Sequence, residues 1–219
     1  CMGPDWHPEI LTEGLGEEPY RINQCSMKAF PTEALTHTPI SAFITIMREN
    51  GLTYDKIDSV LIKSISRAAD ILSDPAKYRP EDKETADHSL PYCLAAAAVD
   101  GSVTPAAFTE ERLEDKRIFS VIDKFKVVAD PEFEELFPAK QAVHGTVKTT
   151  SGEEFKLRMD YPKGDPREPM TEQDLDMKFR ALAAHCMSEG RMDEIKKAVF
   201  GLDTYKSVAD FMPLLFAEK

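Results

Sequence analysis

Cysteine is scarce in this 219-residue chain and is found only at positions 1, 25, 93 and 186. These residues form no C-x-x-C pair, so the sequence predicts neither a structural zinc site nor an iron–sulfur cluster. The chain length and the wide spacing also argue against a disulfide framework. Both features favour a reducing compartment, which we expect to be the cytoplasm or, in a eukaryote, the mitochondrial matrix.

Long apolar runs and an excess of basic charge are also absent. The longest apolar run, residues 93–99, predicts a buried helix and falls far short of the roughly 20 residues that span a bilayer. Acidic side chains outnumber basic ones by 39 to 27, which gives a formal net charge of −12. We therefore expect neither nucleic acid nor a membrane as a partner, and an acidic ligand would need a local cationic pocket.

The remaining composition is ordinary for a globular protein, with 42% hydrophobic and 30% charged residues. Apolar periodicity predicts an α+β fold in which a small sheet packs with helices. We assign residues 1–20 to a leading linker, 21–168 to an α+β domain and 169–219 to a helical C-terminal segment. Strands are predicted at 20–26, 56–66, 127–129, 141–149 and 154–161.

A loop in the first quarter of the chain carries the densest chemistry. Lys28, Glu33 and His37 lie within ten positions of one another, just before a predicted helix over 39–50 with Thr38 as its cap. The free N–H groups and the dipole at the start of that helix favour an anionic ligand. This arrangement could bind a carboxylate. The alternative is a solvated loop that only leads into a core helix, and the residues alone leave both readings open.

Three stretches of the sequence together resemble one protein family. The first is Lys28-Ala-Phe-Pro with Thr36-His37 and Ser41-Ala42. The second contains Tyr78-Arg-Pro, Glu84-Thr-Ala-Asp-His-Ser-Leu-Pro-Tyr92 and Ala-Val-Asp-Gly101. The third is Tyr161-Pro-Lys-Gly-Asp-Pro-Arg-Glu-Pro-Met170 with Lys178-Phe179-Arg180. Their order and spacing resemble the C-terminal part of the MmgE/PrpD family, which includes 2-methylcitrate dehydratases, cis-aconitate decarboxylases and epimerases of amino-dicarboxylates.

The resemblance implies a place in a larger protein. Family members carry a large helical domain ahead of this region, and the present chain resembles their α+β lid domain plus the helices that return to the helical domain. The substrate would lie in the cleft between the two domains, so this chain alone would lack part of the active site. It begins with Cys1 rather than methionine, which is typical of a processed or excised piece of a longer protein.

Three residues of the first stretch take roles from the resemblance. Lys28 matches the family's substrate-contacting lysine, and a compact ammonium suits a carboxylate. Glu33 resembles the Phe-Pro-Ala-Glu pattern of the dehydratases, where decarboxylases more often have histidine. His37 matches a repeated Thr-His pair and could bind a carboxylate or shuttle a proton. We therefore predict Lys28 as a binding residue, and Glu33 and His37 as catalytic residues.

Four further residues are candidates for substrate binding. His88 and Tyr92 belong to the second stretch, which a helix cap and core packing explain equally well. Arg67 could bind a carboxylate with both arms of its guanidinium, although its local match to the family is poor. Lys163 lies in the third stretch, where turn formation also accounts for the sequence.

The function implied by the resemblance is that of a metal-independent carbon–oxygen lyase, without a cofactor, that dehydrates a 2-hydroxy tricarboxylate such as 2-methylcitrate in propionate metabolism. Such a reaction needs cations for the carboxylates and groups that move protons. Decarboxylation and epimerisation remain alternatives within the family, and a non-catalytic dimerisation or regulatory module is the alternative outside it. The expected partners are a small polycarboxylate and either a second copy of the chain or a separate helical-domain chain.

Overall fold

A four-stranded mixed sheet is the centre of the computed structural model, which describes residues 6–17 and 19–217. Its order is β2-β1-β3-β4, with β1 (Ile57–Ser64), β2 (Phe125–Ala129), β3 (Val143–Thr149) and β4 (Glu154–Met159). β1 is parallel to β2 and antiparallel to β3, and β3 and β4 form an antiparallel hairpin. The predicted α+β class is confirmed.

Two helices form the layer that covers this sheet. α1 (His37–Glu49) packs across β3 and β4, and α4 (Leu90–Asp100) packs against α1 and β2. A Cβ atom on Gly145 of β3 would lie 3.4 Å from Ile46 Cδ1, so the glycine allows α1 to approach the sheet closely. The apolar run predicted to be a buried helix lies inside α4, where residues 93–98 are buried.

The remaining helices complete the fold. Those between the strands are α2 (Ser66–Asp70), α3 (Lys83–Asp87), α5 (Glu110–Leu113), α6 (Lys116–Val121) and α7 (Pro131–Leu136). The C-terminal segment is helical as predicted, with α8 (Glu172–Ala183), α9 (Glu189–Phe200) and α10 (Val208–Phe211). Single 3-10 turns occur at Pro8–Leu11, Arg21–Gln24, Ala34–Thr36, Tyr54–Lys56, Pro75–Tyr78, Pro105–Phe108, Ile122–Lys124, Leu202–Thr204 and Met212–Leu215.

The strand predicted at 154–161 is found as β4, and its side chains alternate between the core and solvent. Phe155 and Leu157 are half-buried and pack against the core, while Lys156 and Arg158 are exposed. This is the arrangement expected of an antiparallel sheet with one face on the core and the other in solvent.

The strand predicted over residues 20–26 is wrong, because this segment forms the 3-10 turn Arg21–Gln24. The Asn23 and Cys25 N–H groups donate to the carbonyl groups of Tyr20 and Ile22, which closes the chain on itself. The Ile22 side chain is 76% exposed. The segment therefore has no apolar face to bury, and hydrophobic packing does not hold it extended.

Two predicted helix starts also need correction. Thr38 is not the cap of α1, because the 3-10 turn Ala34–Thr36 runs directly into the helix and α1 begins at His37, two residues before the predicted start. Thr104-Pro105 has the same pattern of a capping residue followed by proline and predicts a second helix start, but the structure has only the 3-10 turn Pro105–Phe108 there. The extended backbone of Thr109 ends that turn before a longer helix can form.

The leading linker predicted for residues 1–20 lies partly outside the described residues, which omit 1–5 and 18. Its described part is exposed. Cys1 also lies outside them, whereas Cys25, Cys93 and Cys186 are free thiols. Within the described ranges, no helix has the length and apolar character needed to cross a bilayer. The domain boundaries stay predictions.

Candidate functional site

The loop that carries Lys28, residues 27–36, is anchored by the third stretch of the sequence. The Met27 N–H donates to the Gly164 carbonyl oxygen at 2.8 Å. On α8, the Lys178 ammonium donates to the Lys28 carbonyl oxygen at 2.6 Å. The structure thus joins the first and third stretches, which are more than a hundred residues apart in the chain.

The second stretch reaches the same loop from the other side. The Glu33 N–H donates to the Asp87 carbonyl oxygen at 3.1 Å, where α3 ends. Between the loop and the end of α3 lies an open pocket of about 440 Å³. Its lining residues are Lys28, Pro31, Thr32, Glu33, Ala34, Asp87 and His88. The pocket therefore unites three of the predicted site residues, Lys28, Glu33 and His88.

Lys28 is the cation on this pocket. Its ammonium donates to the Thr32 carbonyl oxygen at 2.7 Å, which folds the side chain back along its own loop. The residue is exposed, and it forms no ion pair with any carboxylate in the part of the chain that the structure describes. The ammonium still has two N–H groups available for an incoming anion.

Glu33 lines the pocket but also has a structural task. Its Oε2 atom accepts a hydrogen bond from the Leu35 N–H at 2.6 Å and so caps the 3-10 turn Ala34–Thr36. This bond fixes the position of the half-buried carboxylate beside Lys28. The predicted catalytic role of Glu33 stays a prediction.

His37 lies at the first position of α1 and is only 3% exposed. Burial lowers the pKa of its imidazole to about 4, and the positive charges of Lys28 and Lys178 act in the same direction. A hydrogen bond to the Thr32 backbone opposes this shift. His37 is therefore neutral at pH 7, and its Nε2 atom has no hydrogen-bond partner within the described residues. The predicted catalytic role of His37 stays a prediction.

Sequence reasoning missed two polar neighbours of His37. Thr38 and Ser41 are buried, and their hydroxyl groups have no partner among residues 6–17 and 19–217. Positions 37, 38 and 41 share an arc of about 100° on a helix, so these side chains form one polar strip on α1. The signal in the sequence was polar residues on one side of a helix whose other side is apolar.

Tyr92 lies in the core rather than on the pocket. Its side chain is 0% exposed, and its hydroxyl group lies 2.8 Å from the Ala107 carbonyl oxygen and 3.1 Å from that of Arg112. Burial raises the pKa of this phenol to about 12. The core-packing explanation of the second stretch therefore accounts for Tyr92, whose binding role stays a prediction.

The other two predicted cations lie away from the pocket lining. Arg67 is exposed on α2, with its guanidinium 5.6 Å from the centre of the Phe137 ring. The Lys163 ammonium pairs with Asp174 on α8 at 3.1 Å. These contacts hold the neighbouring elements together, and the binding roles of both residues stay predictions.

One cluster of side chains among the described residues has the spacing needed to bind a metal ion. Glu84, Asp87 and His88 offer ligand atoms within 4.8 Å of one another. However, the Lys83 ammonium already contacts Asp87 Oδ2 at 2.7 Å, and His88 Nδ1 contacts Oδ1 at 2.5 Å. Both carboxylate oxygens are thus in use, and we assign no metal to this group.

The neutral state of His37 gives a testable pH dependence. Its pKa is about 4 in the folded chain and near 6.5 in the unfolded chain, so unfolding takes up a proton between these values. The part of the free energy of unfolding that comes from neutral His37 is fully present above pH 6.5 and is lost as the pH falls towards 4. Between pH 7 and pH 5 we expect the free energy of unfolding to decrease by about 2 kcal/mol through His37.

Urea unfolding at the two pH values measures this loss. In His37→Asn, which keeps a side-chain N–H near the Nδ1 position, the His37 component should vanish. His185→Asn removes an exposed histidine and is the matched control, which should keep the full dependence. A His37→Asn chain as sensitive to pH as the control would contradict the assignment.

Comparison with known proteins gives a consistent answer. The sequence model of the MmgE/PrpD C-terminal domain matches residues 30–203. A cis-aconitate decarboxylase-like protein oryM from Aspergillus oryzae is 26% identical over 225 residues, which cover 98% of this chain and 45% of that protein. A 2-methylcitrate dehydratase from Salmonella typhimurium is 29% identical over 148 residues, which cover 64% of this chain and 30% of that protein.

A cis-aconitate decarboxylase from Homo sapiens is 23% identical over 192 residues, which cover 87% of this chain and 39% of that protein. The chain spans less than half of the length of the curated relatives it matches. The family match includes the Glu33 and His37 loop, the pocket wall at Asp87 and helix α8. The chain belongs to the MmgE/PrpD family.

Proposed function

We propose that this chain is the polycarboxylate-binding C-terminal part of a carbon–oxygen lyase that resembles 2-methylcitrate dehydratase. The observation that carries the proposal is the Lys28 ammonium, which lines the pocket without a carboxylate partner in the described ranges. In a chain with a net charge of −12, such a cation makes the pocket locally favourable for a carboxylate. Cytoplasmic propionate metabolism would be the setting of this activity.

The charges around Lys28 support an anionic ligand. Lys178 approaches the same loop and adds a second positive charge, while Lys83 offsets the carboxylate of Asp87. His37 is neutral at pH 7 and adds no charge of its own. Among the lining side chains, only that of Glu33 carries a negative charge without a cation paired to it in the described part of the chain.

The dehydration needs more than charge. A base takes a proton from carbon, an acid assists the departing hydroxyl group, and cations stabilise the enolate-like transition state. Lys28 supplies the cation, and Glu33 and His37 are the predicted proton-transfer groups. The open side of the pocket would be closed by a helical domain, which the longer relatives have room for and which could lie on the same or on a separate chain.

Exposed apolar side chains support such a partner. On the C-terminal helices, Met177 is 56%, Val199 51% and Phe200 63% exposed. Large apolar side chains that stay in water at neighbouring positions are typical of a surface that another protein covers. The partner in this proposal is the helical domain or a second copy of the chain.

Decarboxylation of cis-aconitate is the second candidate. It is favoured by the alignment with the decarboxylase-like protein from Aspergillus oryzae, which covers 98% of this chain. Glu33 supports dehydration instead, since it resembles the dehydratase pattern. Both reactions begin with a bound polycarboxylate, so Lys28 has the same role in either.

An absorbance assay for double-bond formation from 2-methylcitrate and from citrate tests the proposal. It is run on the chain alone and after addition of the helical domain of a relative, with release of carbon dioxide from cis-aconitate measured in parallel. We expect dehydration only in the mixture. Carbon dioxide release without dehydration would establish the decarboxylase, and no reaction in a demonstrably bound mixture would contradict both.

A further inference from the structure

We propose that Asp87 and His88 form a carboxylate–histidine dyad that moves a proton on the polycarboxylate held by Lys28. This inference rests on the proposed function and deepens it. The sequence placed His88 among the binding residues and gave Asp87, like Ser89, only the role of a possible helix cap. The structure supports a further assignment, with His88 as a proton-transfer group beside the predicted Glu33 and His37, and Asp87 as its positioning residue.

The contacts of His88 determine which ring nitrogen carries the proton. Nδ1 lies 2.5 Å from Asp87 Oδ1 and 3.1 Å from the Glu84 carbonyl oxygen. Both neighbours accept hydrogen bonds, so Nδ1 must be the donor. In the neutral ring, Nε2 then keeps a lone pair, and it has no hydrogen-bond partner among the residues that the structure describes. A carboxylate orients a catalytic imidazole in the same way in serine hydrolases.

Asp87 is held firmly enough to position His88. It is 7% exposed, and its second carboxylate oxygen contacts the Lys83 ammonium at 2.7 Å. Its carbonyl oxygen accepts the Glu33 N–H, which ties it to the loop that carries Lys28. Rotation of the carboxylate would break the contact with Lys83 or that with His88, so these contacts hold the dyad in place beside the lysine loop.

The dyad also lines the pocket that contains Lys28. His88 and Lys28 line the same pocket, together with Glu33. The imidazole is half-buried, with 44% of its side chain accessible. A polycarboxylate in this pocket therefore borders both Lys28 and His88, and the accessible part of the His88 ring is available to it.

Structural duties do not account for these two residues. Ser89 caps α4 by accepting the Tyr92 N–H on its hydroxyl group at 3.0 Å, and Tyr92 fills the core. A helix cap and core packing thus explain the second half of the motif. Asp87 and His88 are the polar side chains of this motif that reach the pocket.

During dehydration, His88 takes up one proton and later returns it. His88 Nε2 takes the proton from the carbon next to the hydroxyl-bearing carbon, and the C–H electron pair becomes the new double bond. The C–O bond breaks, and hydroxide leaves with its electron pair. The proton on the imidazolium then combines with the hydroxide, so the products are the alkene and water.

Two measurements on the full 219-residue chain test the dyad without requiring turnover. Nitrogen NMR should show His88 with its proton on Nδ1, and Asp87→Asn should shift the ring towards the usual Nε2–H form. Diethyl pyrocarbonate, which reacts with an unprotonated imidazole nitrogen, should modify His88, as mapped by mass spectrometry. Citrate should slow this modification several-fold, and Lys28→Met should remove the protection.

Controls separate the dyad from the carboxylate site. Glu49→Gln removes an exposed carboxylate at the last residue of α1 and should leave both the NMR signal and the modification rate unchanged. A His88 proton found on Nε2 would overturn the proposal whether or not citrate binds. Citrate that binds by calorimetry yet leaves His88 unprotected would also overturn it. Absence of citrate binding, with citrate as the test tricarboxylate, would instead count against the proposed function.

Kinetics of the active assembly supply the last test. His88→Asn keeps an N–H donor for Asp87 near the Nδ1 position but has no base at the Nε2 position. We expect kcat to fall by about 100-fold with little change in KM, the range typical of a lost acid–base group. A variant that raises KM and leaves kcat intact would show a binding role only and would overturn the assignment.

Discussion

Lys28→Met is expected to lower turnover of the active assembly by about 100-fold, the loss typical of removing one preorganised charge from a transition state. The substitution keeps most of the aliphatic stem and removes only the ammonium. The reaction develops negative charge on the carboxylate-bearing carbon skeleton, so the lost interaction weakens transition-state binding more than substrate binding. Measurement of kcat and KM in the dehydration assay shows the size of both effects.

The same substitution should leave folding almost unchanged. Lys28 is exposed, and within the described part of the chain its ammonium makes one hydrogen bond, to the Thr32 carbonyl oxygen. Water can replace that donor, and surface substitutions of this kind usually change the free energy of unfolding by less than about 0.5 kcal/mol. Thermal unfolding of the chain should therefore be nearly that of the unsubstituted protein.

A matched control shows whether the position or the charge matters. Lys126 is an exposed lysine on β2, so Lys126→Met makes the same change in net charge at another place on the fold. It should leave both turnover and citrate affinity unchanged. Near-normal activity of Lys28→Met, or an equal loss in the control, would refute the assignment of the pocket.

The periodic elements of the fold could be predicted because the spacing of their apolar residues shows which side of each element is buried. Phe155 and Leu157 alternate with charged residues in β4, and Ile40, Phe43 and Met47 share one side of α1. The segment at Ile22 misled the prediction, since β-forming residues without a buried face form no stable strand. Local composition suggested the strand there, whereas tertiary packing decides its existence.

The site could be predicted only in part. Lys28 and His88 were found through motifs, but no pattern shows that Lys178 donates to the Lys28 carbonyl oxygen, since 150 positions separate them. Asp87 was read as a helix cap because capping residues and orienting carboxylates have the same chemistry. Tyr92 was predicted as a binding residue because it shares a motif with His88, but its side chain lies in the core. The same motif therefore contains both core residues and pocket residues.

The close contact between Gly164 and Met27 requires glycine at position 164. Gly164 has a φ of +95°, and a Cβ atom there would lie 2.0 Å from the Met27 carbonyl oxygen. The two residues are also joined by the hydrogen bond from the Met27 N–H to the Gly164 carbonyl oxygen. An alanine at position 164 must therefore push away the backbone that leads into Lys28.

Gly164→Ala is expected to lower the free energy of unfolding by roughly 3–5 kcal/mol, because backbone overlap adds to the cost of the left-handed conformation. Gly152→Ala isolates that conformational cost, since Gly152 has a φ of +90° and no heavy atom within 4 Å of the added Cβ. The control should lose only about 1–2 kcal/mol. Urea unfolding measures the free energy of unfolding of both variants. The difference between their losses is the cost of the overlap with the Met27 backbone.

Citrate binding by these two variants shows whether Lys28 must be held in place by the Gly164 turn in order to bind. Gly164→Ala retains Lys28, yet it displaces the loop that carries the ammonium to the pocket, so citrate affinity should fall although no charge has changed. Gly152→Ala, in the turn between β3 and β4, should bind citrate normally once corrected for its folded fraction. Equal stability and equal affinity in the two variants would mean that the Gly164 turn does not hold the lysine loop. A selective loss in Gly164→Ala would show that the third stretch of the sequence acts by positioning the first.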